Sequence, residues 1–162
     1  MPRTIVLKGD PITKEEKVSE SITPGHLVEF VPSGGSAGQL RKHANAGQDA
    51  APIFAIERDY IGGEIDDAYS TNEFAKYVVA RAGDELYAWI PAGAAAIKKG
   101  DLLQSAGSGN LRKHTAAAQA VNEGGSASYT VTQYTRAVVA QAMEDKDNSG
   151  GGAAVRLIVQ VI

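Results

Sequence analysis

The sequence predicts a mainly β domain, a small barrel or sandwich built from two related halves and preceded by an extended N-terminal arm. Short runs rich in Val, Ile and Leu recur along the chain, separated by turns that contain Gly or Pro. Helical signals are weak, because the Ala-rich stretches are short and bounded by Pro or Gly. In addition, three short motifs occur twice in the same order, which indicates a duplicated unit whose copies pack together.

The repeated motifs define the predicted domain organisation. They are Ile-Thr-Pro-Gly-His-Leu-Val at 22–28 with Ile-Lys-Lys-Gly-Asp-Leu-Leu at 97–103, Leu-Arg-Lys-His at 40–43 and again at 111–114, and Ala-Ile-Glu at 55–57 with Ala-Met-Glu at 142–144. We therefore expect an arm at 1–21 and a single β-rich domain at 22–162. Its half-repeats lie roughly at 22–96 and 97–162.

The arm contains one strand candidate, formed by Thr4, Ile5, Val6 and Leu7. The charged run at 14–17 that follows has no apolar face. One interpretation is a frayed terminus. The other is that the four residues add a strand to the sheet edge of another protein.

Each half is predicted to begin with a hairpin. A turn at Pro24-Gly25 or at Lys99-Gly100 opens a strand, and a Gly/Ser-rich turn leads to a second strand that carries Leu-Arg-Lys-His. Residues 115–121 could form two helical turns or a loop. Further strands are expected at 52–57, 74–80, 85–90, 134–142 and 155–162, the last with Val155, Leu157, Val159 and Val161 on one face.

Composition excludes several classes of protein. A formal charge of −3 with scattered basic residues predicts no nucleic-acid partner. No apolar run approaches the ~20 residues of a membrane-spanning helix. The N-terminus becomes charged too early for a signal peptide, and the absence of Cys argues against thiol chemistry. We therefore expect synthesis in a cytoplasm and no membrane association.

No catalytic, cofactor or metal site is predicted. Residues 34–38 match G-x-S-x-G around Ser36, but no buried helix follows, so a flexible turn is the better interpretation. The run 145–150 begins like a calcium loop but has Arg156 where a bidentate Glu is needed. His43 and His114 each follow Arg-Lys and are expected to lie on the surface. The protein is therefore predicted not to be an enzyme.

Several motifs resemble those of the head decoration, or capsid cement, proteins of tailed bacteriophages. They are Asp-Asp-Ala-Tyr at 66–69, Gly-Asp-Glu-Leu at 83–86, Gly-Asp-Leu-Leu at 100–103 with the hairpin 105–111, and Ala-Met-Glu-Asp at 142–145 before a Val-rich final strand. The resemblance covers roughly residues 20–162.

This resemblance implies a function and partners. Members of the family are β-rich proteins without catalytic activity, commonly trimers on the outer surface of the virion. They stabilise the expanded capsid by bridging subunits of the major capsid protein, and the N-terminal arm often holds the shell. Thr4 to Leu7 would then be the capsid-binding arm. Tyr87 and Trp89 are candidate interface residues, because aromatic side chains are favoured in interfaces, but a plain core role is the preferred interpretation for Trp89. A carbohydrate- or surface-binding β module is the alternative.

Overall fold

The structure, a computed structural model, describes residues 3–59, 62–115, 117–123, 127–133 and 137–162, with backbone pairing only for 117–123 and 127–133. The strands in these ranges are β1 (Val6–Lys8), β2 (Ile12–Lys17), β3 (Val28–Phe30), β4 (Leu40–Lys42), β5 (Ile53–Ala55), β6 (Phe74–Val79), β7 (Glu85–Ile90), β8 (Leu102–Gly107), β9 (Asn110–Lys113), β10 (Ala117–Glu123), β11 (Ala127–Gln133), β12 (Val138–Ala142) and β13 (Val155–Val161). The predicted mainly β class is confirmed.

The described strands form four antiparallel sheets. The largest has the order β1-β7-β13-β12-β8-β9, and a three-stranded sheet has the order β2-β6-β5. The strands β3 and β4 form a two-stranded sheet, and so do β10 and β11. These sheets do not close into a barrel. Of the two predicted architectures, barrel and sandwich, the structure is therefore nearer to the sandwich.

Two apolar clusters hold the layers together, and β5 and β6 belong to both. Phe54 and Val78 face a cluster shared with the six-stranded sheet, including Leu86, Leu103 and Leu157. The alternate residues of the same strands, such as Ala55 and Tyr77, face a second cluster with β3 and β4. Side chains on successive strand residues point to opposite faces, so the small sheet is buried on both sides. This explains why Ile-Phe-Ala of β5 is continuously apolar rather than alternating.

The segment predicted to be an extended arm is paired within the domain instead. The side chain of Ile5 is fully buried in the larger cluster. Val6 pairs with Leu86 of β7, and the charged run 14–17 belongs to β2, which pairs with β6 along its whole length. Lys14 and Glu15 are exposed on this edge strand, a position where charge discourages pairing with other chains. The backbone therefore holds this strand in place without an apolar pattern.

The repeated motifs have the same local geometry. The N–H of Gly25 donates to the carbonyl of Ala55 at 2.7 Å, and that of Gly100 donates to Ala142 at 2.8 Å. Both glycines have φ near +94°, in the left-handed region where a side chain would be strained.

The glutamate that ends the third motif also has the same role in both copies. Glu57 accepts the backbone N–H of Ile5 at 3.0 Å, and Glu144 accepts that of Ile158 at 3.1 Å. Each carboxylate satisfies a backbone donor of a neighbouring chain segment. The sequence repeat thus corresponds to a repeated pattern of hydrogen bonds.

Two elements differ from the sequence-based expectation. Residues 115–121 were expected to form helical turns or a loop, whereas residues 117–123 form β10. The strand expected at 134–142 begins at Val138, and residues 134–136 lie outside the described ranges. Within the described ranges there is no helix with the length and apolar character of a membrane span.

Candidate functional site

The structure brings the predicted site residues together on two adjacent strands. Thr4 to Leu7 lead into and form part of β1, the strand at the edge of the six-stranded sheet, and Tyr87 and Trp89 lie on its neighbour β7. The carbonyl of Ile5 accepts the N–H of Tyr87 at 2.9 Å. Leu86, Ala88 and Ile90 point into the core, so Tyr87 and Trp89 share the outer face of β7.

Trp89 is fixed by a polar network. Its indole N–H donates to the carbonyl of Pro24 at 2.8 Å. The guanidinium of Arg156 lies over the indole ring, 4.1 Å from its centroid, and the ring of His26 lies 5.9 Å away. Arg156 also forms an ion pair with Asp66 at 2.6 Å. These contacts give Trp89 a structural role in joining the turn before β3 to the outer face of the large sheet.

His26 lies half-buried beside two cations. Burial, and then the positive charges of Lys42 and Arg156, lower the pKa of His26 from 6.5 to about 4. Its Nδ1 accepts the backbone N–H of Thr23 at 3.1 Å, which requires that Nδ1 carry no proton. The ring is therefore neutral at physiological pH. Asp101 holds the matching position in the second repeat and accepts the N–H of Lys98 at 2.9 Å.

A polar groove lies where the two repeated hairpins meet. Its volume is about 460 Å³. The lining residues are Ser19, Glu20, Val31, Ser36, Arg41, Lys42, Ala44 and Ser108. Ser36 comes from the Gly/Ser turn of the first hairpin and Ser108 from that of the second. Sequence reasoning missed this groove, because its walls come from three distant segments of the chain.

His43 is buried rather than exposed, which corrects the sequence-based expectation. Its Nδ1 lies 2.8 Å from the hydroxyl of Ser105, and its Nε2 lies 3.2 Å from the carbonyl of Asp49. Ser105 belongs to β8 in the other half, so no local pattern indicates this contact. His114 is half-buried and contacts the side-chain amide of Gln104 at 2.6 Å.

The other two motifs considered for catalysis or metal binding lie between strands. Ser36 lies in an irregular turn next to the groove, and no hydrogen bond is described for its hydroxyl. In the run 145–150, Asp145 pairs with Lys98 at 3.0 Å, and the buried amide of Asn148 donates to the carbonyl of Pro91 at 2.8 Å. Among the described residues, no three His, Asp or Glu side chains are arranged to hold a metal ion. The absence of an enzymatic activity stays a prediction.

Large apolar side chains are exposed at several places. Those in the described ranges are Phe74 at 63%, Ile162 at 55%, Ile12 and Phe30 at 44% and Leu102 at 42%. Phe30 contacts the buried ring of Tyr77 edge-on, with 6.0 Å between centroids. The sequence did not distinguish Phe30, Phe74 and Leu102 from core positions, because each belongs to an apolar strand run.

Comparison with known proteins gives one informative result. No family model matches the chain, and no curated protein matches it. The fold is similar to that in the crystal structure of the head fiber gp8.5 N base in bacteriophage phi29, with a TM-score of 0.54 and 10% sequence identity. The similarity covers 93% of each chain, so it extends over most of both halves. This neighbour comes from a phage head, the particle to which the sequence resemblance also points.

Proposed function

We propose that this protein is a structural component of a phage head that binds the outside of the expanded capsid and stabilises it by bridging major capsid subunits. The observation that carries the proposal is the likeness over 93% of both chains to a head fiber base of bacteriophage phi29. The resemblance of the sequence to head decoration proteins supports it independently. The protein would be made in the host cytoplasm and assembled on the outer surface of the virion.

The arrangement of the surface fits such a role. The groove is shallow and polar, and the ring of Trp89 is covered by Arg156. Attachment to a lattice needs modest contacts repeated many times, because neighbouring contacts raise the effective concentration of one another. A carbohydrate-binding module remains the alternative, and a glycan array would reveal it.

Co-sedimentation tests the proposal. The purified protein is mixed with expanded heads that lack it, and unexpanded proheads of the same phage serve as the control. We expect saturable binding to the expanded heads alone and greater resistance of those heads to heat. Absence of binding to expanded heads would contradict the proposed function.

The proposal includes a homotrimer. Sedimentation equilibrium should then give three times the chain mass of 16.9 kDa. Closed cyclic assemblies of this kind repeat one interface around an axis. A single species at the mass of the monomer, over the concentrations used for head binding, would contradict the trimer.

The capsid-binding role of Thr4 to Leu7 is proposed in a revised form. Ile5 is buried and β1 is an edge strand, so contact with a capsid subunit would involve the outer edge of β1 and not a free arm. Deleting residues 2–13 is not a clean test, because it removes Ile5 from the core. Replacing Val6 by Pro alters the edge of β1 that would pair with a capsid subunit while leaving Ile5 in place, and Ala92→Pro, in an exposed turn outside the proposed site, is the control. Weaker head binding by Val6→Pro alone, with a retained fold, is the expected result.

A further inference from the structure

Both halves of the chain contribute to the polar groove. The turn of the second hairpin, Ser108-Gly109, is inserted beside the first hairpin. The carbonyl of Gly109 accepts the N–H of Leu27 at 2.8 Å, and its N–H donates to His43 at 3.1 Å. A side chain at Gly109 would meet Lys42 and His26 at about 3.0 Å, so this turn has a fixed position.

Ser108 occupies a conformation that favours glycine. Its φ is +51°, and the residues on both sides are glycines with positive φ. A serine in the left-handed region is less favourable than a glycine there. Ser108 nevertheless places a hydroxyl at the groove, and no hydrogen bond is described for that hydroxyl. This is the kind of local cost that occurs at binding sites.

The side chain of Arg41 has hydrogen-bond donors that are not used within the described residues. Its Nε donates to Glu29 at 2.7 Å, whereas its two terminal nitrogens have no partner among the described residues. The neighbouring Lys42 has only a long contact of 3.8 Å with Glu20. One oxygen of that same carboxylate accepts the N–H of Lys42 at 2.7 Å, so Glu20 has a structural role.

The chemistry of these groups indicates a carboxylate as the ligand. The free edge of a guanidinium matches the two oxygens of a carboxylate, and serine hydroxyls can donate to the same group. Glu20 and Glu29 balance the charges of Arg41 and Lys42, so the groove offers directed donors without the excess charge that a polyanion requires. No aromatic ring lines it, which disfavours a sugar.

We propose that this groove binds a carboxylate side chain on a peptide segment of another protein, with Arg41 as the principal donor and Lys42, Ser36 and Ser108 around it. Its identification as a capsid segment rests on the proposed function. Binding of one carboxylate in a shallow groove is weak for a single copy and becomes effective on a lattice.

NMR titration of the full-length protein tests the site directly. The probe is the peptide Ac-Gly-Ser-Glu-Gly-Ser-Gly-NH2, and its counterpart with Gln in place of Glu is the control. We expect saturable amide shifts at Ser36, Arg41, Lys42 and Ser108 with the Glu peptide and at least tenfold weaker binding of the Gln peptide. Equal binding of both peptides, no saturable shifts, or binding of glucuronate in place of the Glu peptide would overturn the proposal.

Matched variants separate the site from the fold. Arg41→Gln should weaken binding of the Glu peptide at least tenfold, whereas Arg112→Gln, at the same position of the second Leu-Arg-Lys-His motif, should leave it unchanged. Because Arg41→Gln also removes the pair with Glu29, Ser108→Gly provides a second test. It removes the hydroxyl and relieves the backbone, so binding should fall severalfold while the melting temperature does not. Equal effects of the two arginine variants, or full binding by Ser108→Gly, would contradict the proposal.

The same variants in the head assay distinguish the two proposals. If the unmodified protein does not bind expanded heads, the proposed function fails, and the peptide titration still decides the groove. If it binds and Arg41→Gln binds equally well, the groove does not contact the capsid. Loss of head binding by Arg41→Gln but not by Arg112→Gln is the expected result.

Discussion

His26 shows how one residue can make stability depend on pH. Its pKa in the folded protein is about 4, below the ordinary value of 6.5. Between these values the unfolded chain binds a proton that the folded protein does not, so stability falls as pH decreases through this interval. The free energy of unfolding can fall by at most about 1.4 kcal/mol for each pH unit through this one group.

We expect His26→Asn to remove this dependence. Asn can still accept the N–H of Thr23, as Asp101 does for Lys98 in the second repeat, but it does not titrate. Urea unfolding between pH 7 and pH 4.5 should show a declining free energy of unfolding for the original protein and a flatter profile for the variant. The pKa of Asp101, lowered chiefly by the N–H of Lys98, places its contribution at more acidic pH. Parallel profiles would contradict the assignment to His26.

Even replacement by lysine should destabilise the protein at Arg156. Arg156 stacks on Trp89, pairs with Asp66 and donates to the carbonyls of Pro24 and Ile65. Lysine keeps the charge but cannot form the planar, forked set of contacts. We expect Arg156→Lys to reduce the free energy of unfolding by about 1–3 kcal/mol. In Arg112→Lys, at an exposed site, the change should stay within about 0.5 kcal/mol; similar losses in the two variants would contradict the argument.

At the scale of elements, the N-terminal strands are part of the domain. Because Ile5 is fully buried between β7 and β5–β6, Ile5→Ala should cost about 2–5 kcal/mol. Thr4→Ala, at the exposed neighbouring position, should change stability by less than about 0.5 kcal/mol. Thermal or urea unfolding of both variants measures the difference. Near-equal stability would mean that residues 3–8 behave as a free arm in solution.

The sequence predicted those elements whose side chains carry a periodic pattern. β7 was predicted at its observed bounds, and Leu157, Val159 and Val161 of β13 share a buried face as expected. β2 was missed, because its sequence Ile-Thr-Lys-Glu-Glu-Lys has no apolar alternation and backbone bonds to β6 hold it.

The candidate site was less predictable than the strands. Tyr87 and Trp89 could be placed on one strand face, but the contact of Trp89 with Arg156 joins residues far apart in the sequence. The burial of His43 against Ser105 and the convergence of Ser36 with Ser108 depend in the same way on how the halves pack. Local sequence carries no signal for such contacts.

For the whole molecule, shared burial predicts cooperative unfolding. β5 and β6 contribute to both apolar clusters, so neither cluster can be lost without exposing one side of the same sheet. We expect calorimetry to show a single transition whose calorimetric and van't Hoff enthalpies agree. Two resolved transitions would show that the clusters unfold independently.

The inserted turn of the second hairpin has a consequence for synthesis on the ribosome. The N–H of Leu27 and the carbonyl of His43 obtain their backbone partner from Gly109, and the apolar cluster that buries Ile5 includes Leu103, Leu111 and Leu157 of the second half. While the first half emerges, these groups have no native partner, although the early strands are already complete in sequence. The nascent chain therefore passes through a long stage with exposed apolar strands, and chaperone association should end only once the second hairpin has left the exit tunnel.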